Sequence, residues 1–358
     1  MSKLRLFLGL IILIFAAGCQ RVDQQDNEYE TGGATDTGKL KVVATTTIVG
    51  DVVSEIGGDL IDLTVLLPVG TDPHGFDPTP QDVAKLADAD VIFANGLGLE
   101  EFLDSMIESA GVENKVVYVS DGIDLLRSEE HHDEDEGAEH HDEDEGEEHH
   151  DEDEGEEHHN EDEGEEHHDE DEGEEHHHEH NHGGIDPHTW FSPLNVMVWI
   201  HNIAYALSDV DPDSAQAYAH NEEVYEAELV ELDTWIREQV AQIPEDNRNL
   251  VTDHSLFTYF ADEYSFTQVG ALIPGYSTVS EPTAQELAQI EDAIEDLNVK
   301  AVFVGYTVNP VLGERVADDT GTELVFVYTG ALSETDGAAA TYLHYMRYNT
   351  TAFVNALR

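Results

Sequence analysis

Residues 214–243 read SAQAYAHNEEVYEAELVELDTWIREQVAQI, with Asp211-Pro212 just before and Pro244 just after. No glycine or proline interrupts the run, so the spacing predicts one helix, about 45 Å long at 1.5 Å per residue. Tyr218, Val224, Leu229, Leu232, Trp235 and Val240 recur among many acids. Their spacing is too irregular for a sustained coiled-coil seam. A helix of this length is expected to tie two lobes together, and the sequence on either side supports that expectation.

Upstream, short Val/Ile-rich runs alternate with helix-like stretches. Strands are predicted at 41–47, 61–67, 90–94 and 115–119, with helices at 48–56, 80–87, 100–110 and 193–207. Downstream the alternation returns, with strands at 249–252, 266–272, 301–304 and 324–327. Helices are predicted there at 256–262, 310–319 and 337–357, and Thr283 with Glu286 forms a capping box for another that runs to Leu297. Continuous apolar strands between helices are what a parallel sheet covered on both faces requires. The expected fold is therefore α/β: two Rossmann-like lobes joined by a long rigid helix, with a binding site in the cleft between them. The expected organisation is a signal at 1–18, a tether at 19–38, a first lobe at 39–207, the linking helix at 208–244 and a second lobe at 245–358.

The chain has 358 residues, with 80 acidic against 14 basic and a formal charge of -66. A nucleic-acid partner is excluded by the missing basic footprint, and a single Cys excludes a disulfide framework. Residues 129–182 alone carry 31 acids and 15 of the 21 histidines. Without them and residues 1–18, 49 acidic and 12 basic residues remain. Such a surface repels itself in dilute buffer and is tolerated in salt, as expected of a protein made for a saline exterior.

Lys3 and Arg5 precede an apolar run from Leu6 to Ala17, followed by Gly18 and Cys19. A basic flank, a short apolar core and small residues describe an export signal. The only cysteine directly follows Ala16-Ala17-Gly18, an arrangement that resembles the lipobox of prokaryotic lipoproteins. That resemblance implies lipidation of Cys19 and an extracytoplasmic protein anchored to the cell membrane.

Three histidines lie in loops that lead into helices: His74 in VGTDPHGFDPTP, His188 in GGIDPHTWFSP and His254 in NLVTDHSLFTYF. A single loop histidine is more often merely solvated. Here three of the six histidines outside the insert hold comparable positions across the two halves, whereas His201, His220 and His344 fall inside predicted helices. Three imidazoles suit a tetrahedral, nitrogen-rich zinc site. Asp72 is a weaker candidate ligand.

The phrases VVATTTIVGDVV, GTDPHGFDPTPQDV, IFANGLGLEEFLDSM, DPHTWFSP, SEPTAQEL and TYLHYMRYN together make the chain resemble the extracytoplasmic metal-binding lipoproteins of zinc and manganese ABC transporters. They are spread over residues 40–358 apart from the insert. The resemblance implies a monomeric receptor, not an enzyme, that delivers its ion to an ABC permease and ATPase, with His74, His188 and His254 as ligands. Manganese receptors of this type usually carry a carboxylate where this chain has His254, which tilts the expectation from Mn2+ toward Zn2+. Two positions depart from the family pattern, because Gly330 and Gly305 stand where acids are familiar. The fourth ligand is then water, or an acid such as Glu334 or Asp336.

From Glu129 a nine-residue unit of the type EEHHDEDEG repeats five times and ends in EEHHHEHNHGG. It cannot build a core and is expected to be disordered. Its histidines are His131, His132, His140, His141, His149, His150, His158, His159, His167, His168, His176, His177, His178, His180 and His182. Paired imidazoles among carboxylates offer many weak, exchangeable metal sites, expected to collect metal beside the cleft. A surface adhesin or metal buffer would use the same chemistry. A zinc-dependent hydrolase is the remaining alternative, because three histidines and water resemble a catalytic site and His178 to His182 match His-Glu-x-x-His. That match sits in a tract where His and Glu alternate densely, so composition accounts for it.

Overall fold

The computed structural model describes residues 38–127 and 184–358. The expected signal, Cys19, the tether up to residue 37 and the insert at 129–182 lie outside the described residues.

The first half runs β1 (Leu40–Ala44), α1 (Thr47–Gly57), β2 (Ile61–Val65), α2 (Pro80–Asp88), β3 (Val91–Ala94), α3 (Leu103–Ala110) and β4 (Val116–Tyr118). Two helices follow, α4 (Pro193–Val210) and α5 (Ala215–Val240). The second half runs β5 (Asn249–Thr252), α6 (Thr258–Tyr264), β6 (Thr267–Ala271), α7 (Ala284–Asp296), β7 (Ala301–Gly305), α8 (Val311–Thr320), β8 (Glu323–Val327) and α9 (Tyr342–Leu357). Each half holds a four-stranded parallel sheet, ordered β2-β1-β3-β4 in the first and β6-β5-β7-β8 in the second. The two-lobe α/β fold read from the sequence is thus the fold observed. Among the described residues, no helix is long and apolar enough to cross a membrane.

Strand alternation explains how the lobes cohere. Successive side chains of a strand point to opposite faces. Val42, Ala44, Val91 and Phe93 face one core, which continues through Leu250, Ala301 and Phe303 of the second sheet. Their neighbours Val43, Ile92 and Ala94 face a separate outer core under α2 and α3, and Val251, Val302 and Val304 face its counterpart in the second lobe. The inner core is therefore shared by both lobes. Helix α5 is its spine, packing against α4, α1 and α9 and contributing Tyr218, Tyr225, Leu229, Leu232, Ile236 and Val240.

Several boundaries differ from the sequence expectation. The linking helix expected at 208–244 is shorter, since residues up to 210 belong to α4 and α5 ends at Val240. Helix α5 spans 26 residues, about 39 Å. Its buried stripe passes through Tyr225 and Ile236, leaving Val224 exposed. Helix α3 begins at Leu103 rather than residue 100, because the Glu100 carboxylate is buried and accepts the amides of Asn95 and Gly96. Strand β1 stops at Ala44, since Thr46 turns to cap α1 by accepting the Val49 amide at 3.2 Å. Helix α9 begins at Tyr342 rather than 337, where Thr341 caps it by accepting the His344 amide. The Thr283–Glu286 capping box forms as the spacing predicts.

Candidate metal centre

The loops that follow β2 and β5 carry His74 and His254 past the carboxyl ends of the two sheets. His188 opens the short 3-10 turn Thr189–Phe191 that leads into α4. The three meet. His188 Nε2 lies 3.2 Å from His74 Nε2 and 3.3 Å from His254 Nε2, and one nitrogen of each falls within 4.8 Å of the others. His188 and His254 are 2% and 3% exposed, while His74 is half-buried.

Carboxylates fix the rear of two rings. Asp186 Oδ1 accepts the His188 amide at 2.8 Å and contacts Nδ1 at 2.7 Å. Asp253 Oδ1 accepts the His254 amide at 2.7 Å and contacts Nδ1 at 2.6 Å. With Nδ1–H donated rearward, each Nε2 carries a lone pair toward the other imidazoles. Burial, reinforced by the neighbouring imidazoles, pushes His74 and His188 well below the ordinary histidine range. Burial also pushes Asp186 up to about 7. Lone pairs about 3.3 Å apart repel one another unless a cation lies between them. Ligand nitrogens at 2.0–2.1 Å from a tetrahedral ion stand about 3.3 Å apart, so the spacing fits one metal ion.

The remaining expected positions lie elsewhere. Asp72 is spent on its own loop and the opposite lobe, accepting the His74 amide at 3.0 Å and the Thr278 hydroxyl. Glu334 and Asp336 do not join the three histidines. Glu334 instead lines a depression with Thr47, Asp51 and Ser54. At Gly330 an added Cβ would stand 2.5 Å from Pro73 Cδ, and at Gly305 it would stand 2.2 Å from Thr329 Oγ1. Neither position has room for an acid. The segment that departs after Arg127 returns at Ile185 through an antiparallel bridge between those residues, three residues before His188.

The sequence does not announce that Asp186 and Asp253 grip the imidazoles of His188 and His254, while Asp72 holds only the backbone of His74. An acid one or two residues before each histidine was the available signal. The tyrosines that hold the His188 loop had none: Tyr259 donates to the Asp186 carbonyl at 3.1 Å and Tyr342 to the Trp190 carbonyl at 2.8 Å.

Residues 42–356 match the family described as ZnuA, zinc-uptake complex component A, periplasmic. The chain belongs to this family. As a member it is the substrate-binding component of a metal ABC transporter rather than an enzyme. It is 32% identical over 352 residues to the manganese-binding lipoprotein MntA of Halalkalibacterium halodurans, covering 98% of this chain and 97% of that one. It is 28% identical over 357 residues to the manganese ABC transporter substrate-binding lipoprotein PsaA of Streptococcus pneumoniae, covering 98% of each. Its fold is that of the periplasmic zinc-binding protein TroA of Treponema pallidum, with a TM-score of 0.70 at 23% identity, covering 89% of this chain and 99% of that one.

Proposed function

We propose that this ZnuA-family receptor binds Zn2+ through Nε2 of His74, His188 and His254, with water in the fourth position, and delivers it to an ABC permease and its ATPase. The observation that carries this reading is the donor set, three convergent imidazoles with no carboxylate among them. Imidazole suits zinc, whereas manganese favours oxygen donors. The depressed basicity of His74 and His188 keeps them neutral near pH 7, so little proton competition opposes the ion. The aspartates behind His188 and His254 hold ring orientation, as second partners of metal-bound histidines do. Because the lobes share one core, release proceeds by movement of the half-buried His74 loop rather than by wide separation of the lobes.

In this reading Cys19 is lipidated and anchors a monomeric receptor outside the cell membrane. The histidines of residues 129–182 then collect zinc and raise its concentration beside His188. Manganese is the second reading, favoured by the names of the relatives at 32% and 28% identity.

The test is a competitive titration with Zn2+ and Mn2+ in high salt. It compares the mature chain, a form lacking 129–182, and that form with all three histidines replaced by Ala. One tight zinc site that survives the deletion and vanishes in the triple variant is the expected result. Tighter binding of Mn2+ transfers the assignment to manganese. Loss of tight binding with the insert alone makes the protein a displayed metal buffer.

A further inference from the structure

We propose that Asn95, held in place by Glu100, is a positioning residue for His188; this rests on the reading of His188 as a metal ligand. Asn95 follows β3 and is fully buried. Its Nδ2 donates to the carbonyl of Pro187, the residue before His188, at 2.9 Å, and to the Gly96 carbonyl at 2.9 Å. Both donors are thereby used, which fixes the amide, and Oδ1 is left buried without a hydrogen-bond partner among the described residues. Asn95 thus acts here as a donor only, and its target is the chain from which His188 projects.

Behind it stands a buried carboxylate with no cation beside it among the described residues. Glu100 Oε1 accepts the Thr45 hydroxyl at 2.7 Å and the Asn95 amide at 2.8 Å, and Oε2 accepts the Gly96 amide at 3.0 Å. Burial pushes Glu100 upward against these three donors. The turn they hold is strained. Gly96, Leu97 and Gly98 have φ of 84°, 58° and 80°, and Leu97 is a left-handed position that a β-carbon disfavours. A buried carboxylate without a countercharge among the described residues and a left-handed leucine both cost stability. What they deliver is a rigid Asn95 aimed at Pro187, so that His188 is set from the first lobe as Asp186 sets it from behind. Preorganisation of this kind retains an ion by reducing what must be ordered when it binds.

The experiment uses the full mature chain, with a chelator strong enough to strip the weaker sites of residues 129–182. Asn95→Ala and Asn95→Asp are compared with the parent for zinc dissociation rate, for the zinc-induced rise in melting temperature, and for the d–d spectrum of one equivalent of Co2+. The aspartate keeps the shape but, when ionised, cannot donate to Pro187, so release is followed at pH 8. Both variants are expected to release zinc at least tenfold faster, with a smaller zinc-induced rise and an altered cobalt spectrum. Lower melting of the metal-free protein with unchanged release and spectrum would overturn the proposal. Should neither variant fold, Thr45→Val, which removes one Glu100 donor, decides it by a two- to threefold faster release or by none. His188→Ala separates the two claims, because survival of the tight site in that variant defeats the ligand reading itself.

Discussion

One oxygen of Asp253 grips His254 at two points, accepting its backbone amide at 2.7 Å and meeting its Nδ1 at 2.6 Å. The other oxygen accepts the Gly305 amide at 2.6 Å. Both carboxylate oxygens are occupied, so no amide can replace the group. Asn at 253 would turn its NH2 toward either the imidazole N–H or the Gly305 N–H. Asp253→Asn is therefore expected to lower zinc affinity roughly 10–100-fold, read by chelator competition.

Gly330 faces Pro73 where relatives of this type were expected to supply an acid. Gly330→Asp is expected to push the His74 loop outward and weaken zinc binding about tenfold or more rather than add a ligand. Pro73→Ala in the same chain opens the space. The double variant is expected to regain affinity and to raise Mn2+ binding relative to Zn2+, because an oxygen donor becomes available. Parallel titrations with both ions check this.

Acid release is expected in two waves. An unperturbed histidine protonates near pH 6.5, the value expected for the insert, whereas His74 and His188 are held well below it. Protons compete with metal for each nitrogen, so a lower pKa moves release to lower pH. Zinc followed from pH 7.5 to 4.5 should leave the full chain in two steps. A form lacking 129–182 should lose the upper step.

Asp51 caps α9 from the opposite lobe, accepting the Tyr342 amide at 2.7 Å. Burial, with Glu55 adding repulsion, raises it from 3.8 to about 6. The folded state then binds this proton more tightly than the unfolded state does. Its contribution is greatest below pH 4 and falls as pH rises to about 6, by about 3 kcal/mol in all. Asp51→Asn keeps an acceptor for Tyr342 and removes the charge. The variant should match the parent at pH 4 and exceed it in stability at pH 7, measured by urea unfolding.

Leu229 lies at the centre of α5 with no exposed surface. Leu229→Ala is expected to cost about 2–5 kcal/mol. Because the inner core is continuous, calorimetry should show a single transition that moves as a whole, without one lobe melting ahead of the other.

Periodicity made the strands, the order of elements and the long helix legible, because each sheet is covered on both faces and its apolar runs are uninterrupted. Helix starts were less legible where a side chain serves the tertiary structure instead. Glu100 looks like a first-turn acid until Thr45, Asn95 and Gly96 are seen to claim it. The three histidines stood out by type and position in their loops. Their supporting groups did not, because Tyr259 and Tyr342 read as ordinary core aromatics, and Asn95 as a turn residue, until the fold brings them to the His188 loop. The displacement of an acid by Pro73 at Gly330 is a contact between positions more than 250 residues apart, which no local pattern encodes.

The shared spine also limits what a transporter can sense. A receptor whose halves swing apart announces its cargo by its silhouette. Under the proposed reading the two halves, joined along α5, are expected to keep nearly the same outline whether empty or loaded. The difference must be written on the rim, in the seating of the His74 loop and its Asp72–Thr278 contact across the cleft. In that reading a permease discriminates at this one contact, where the His74 loop meets the second lobe.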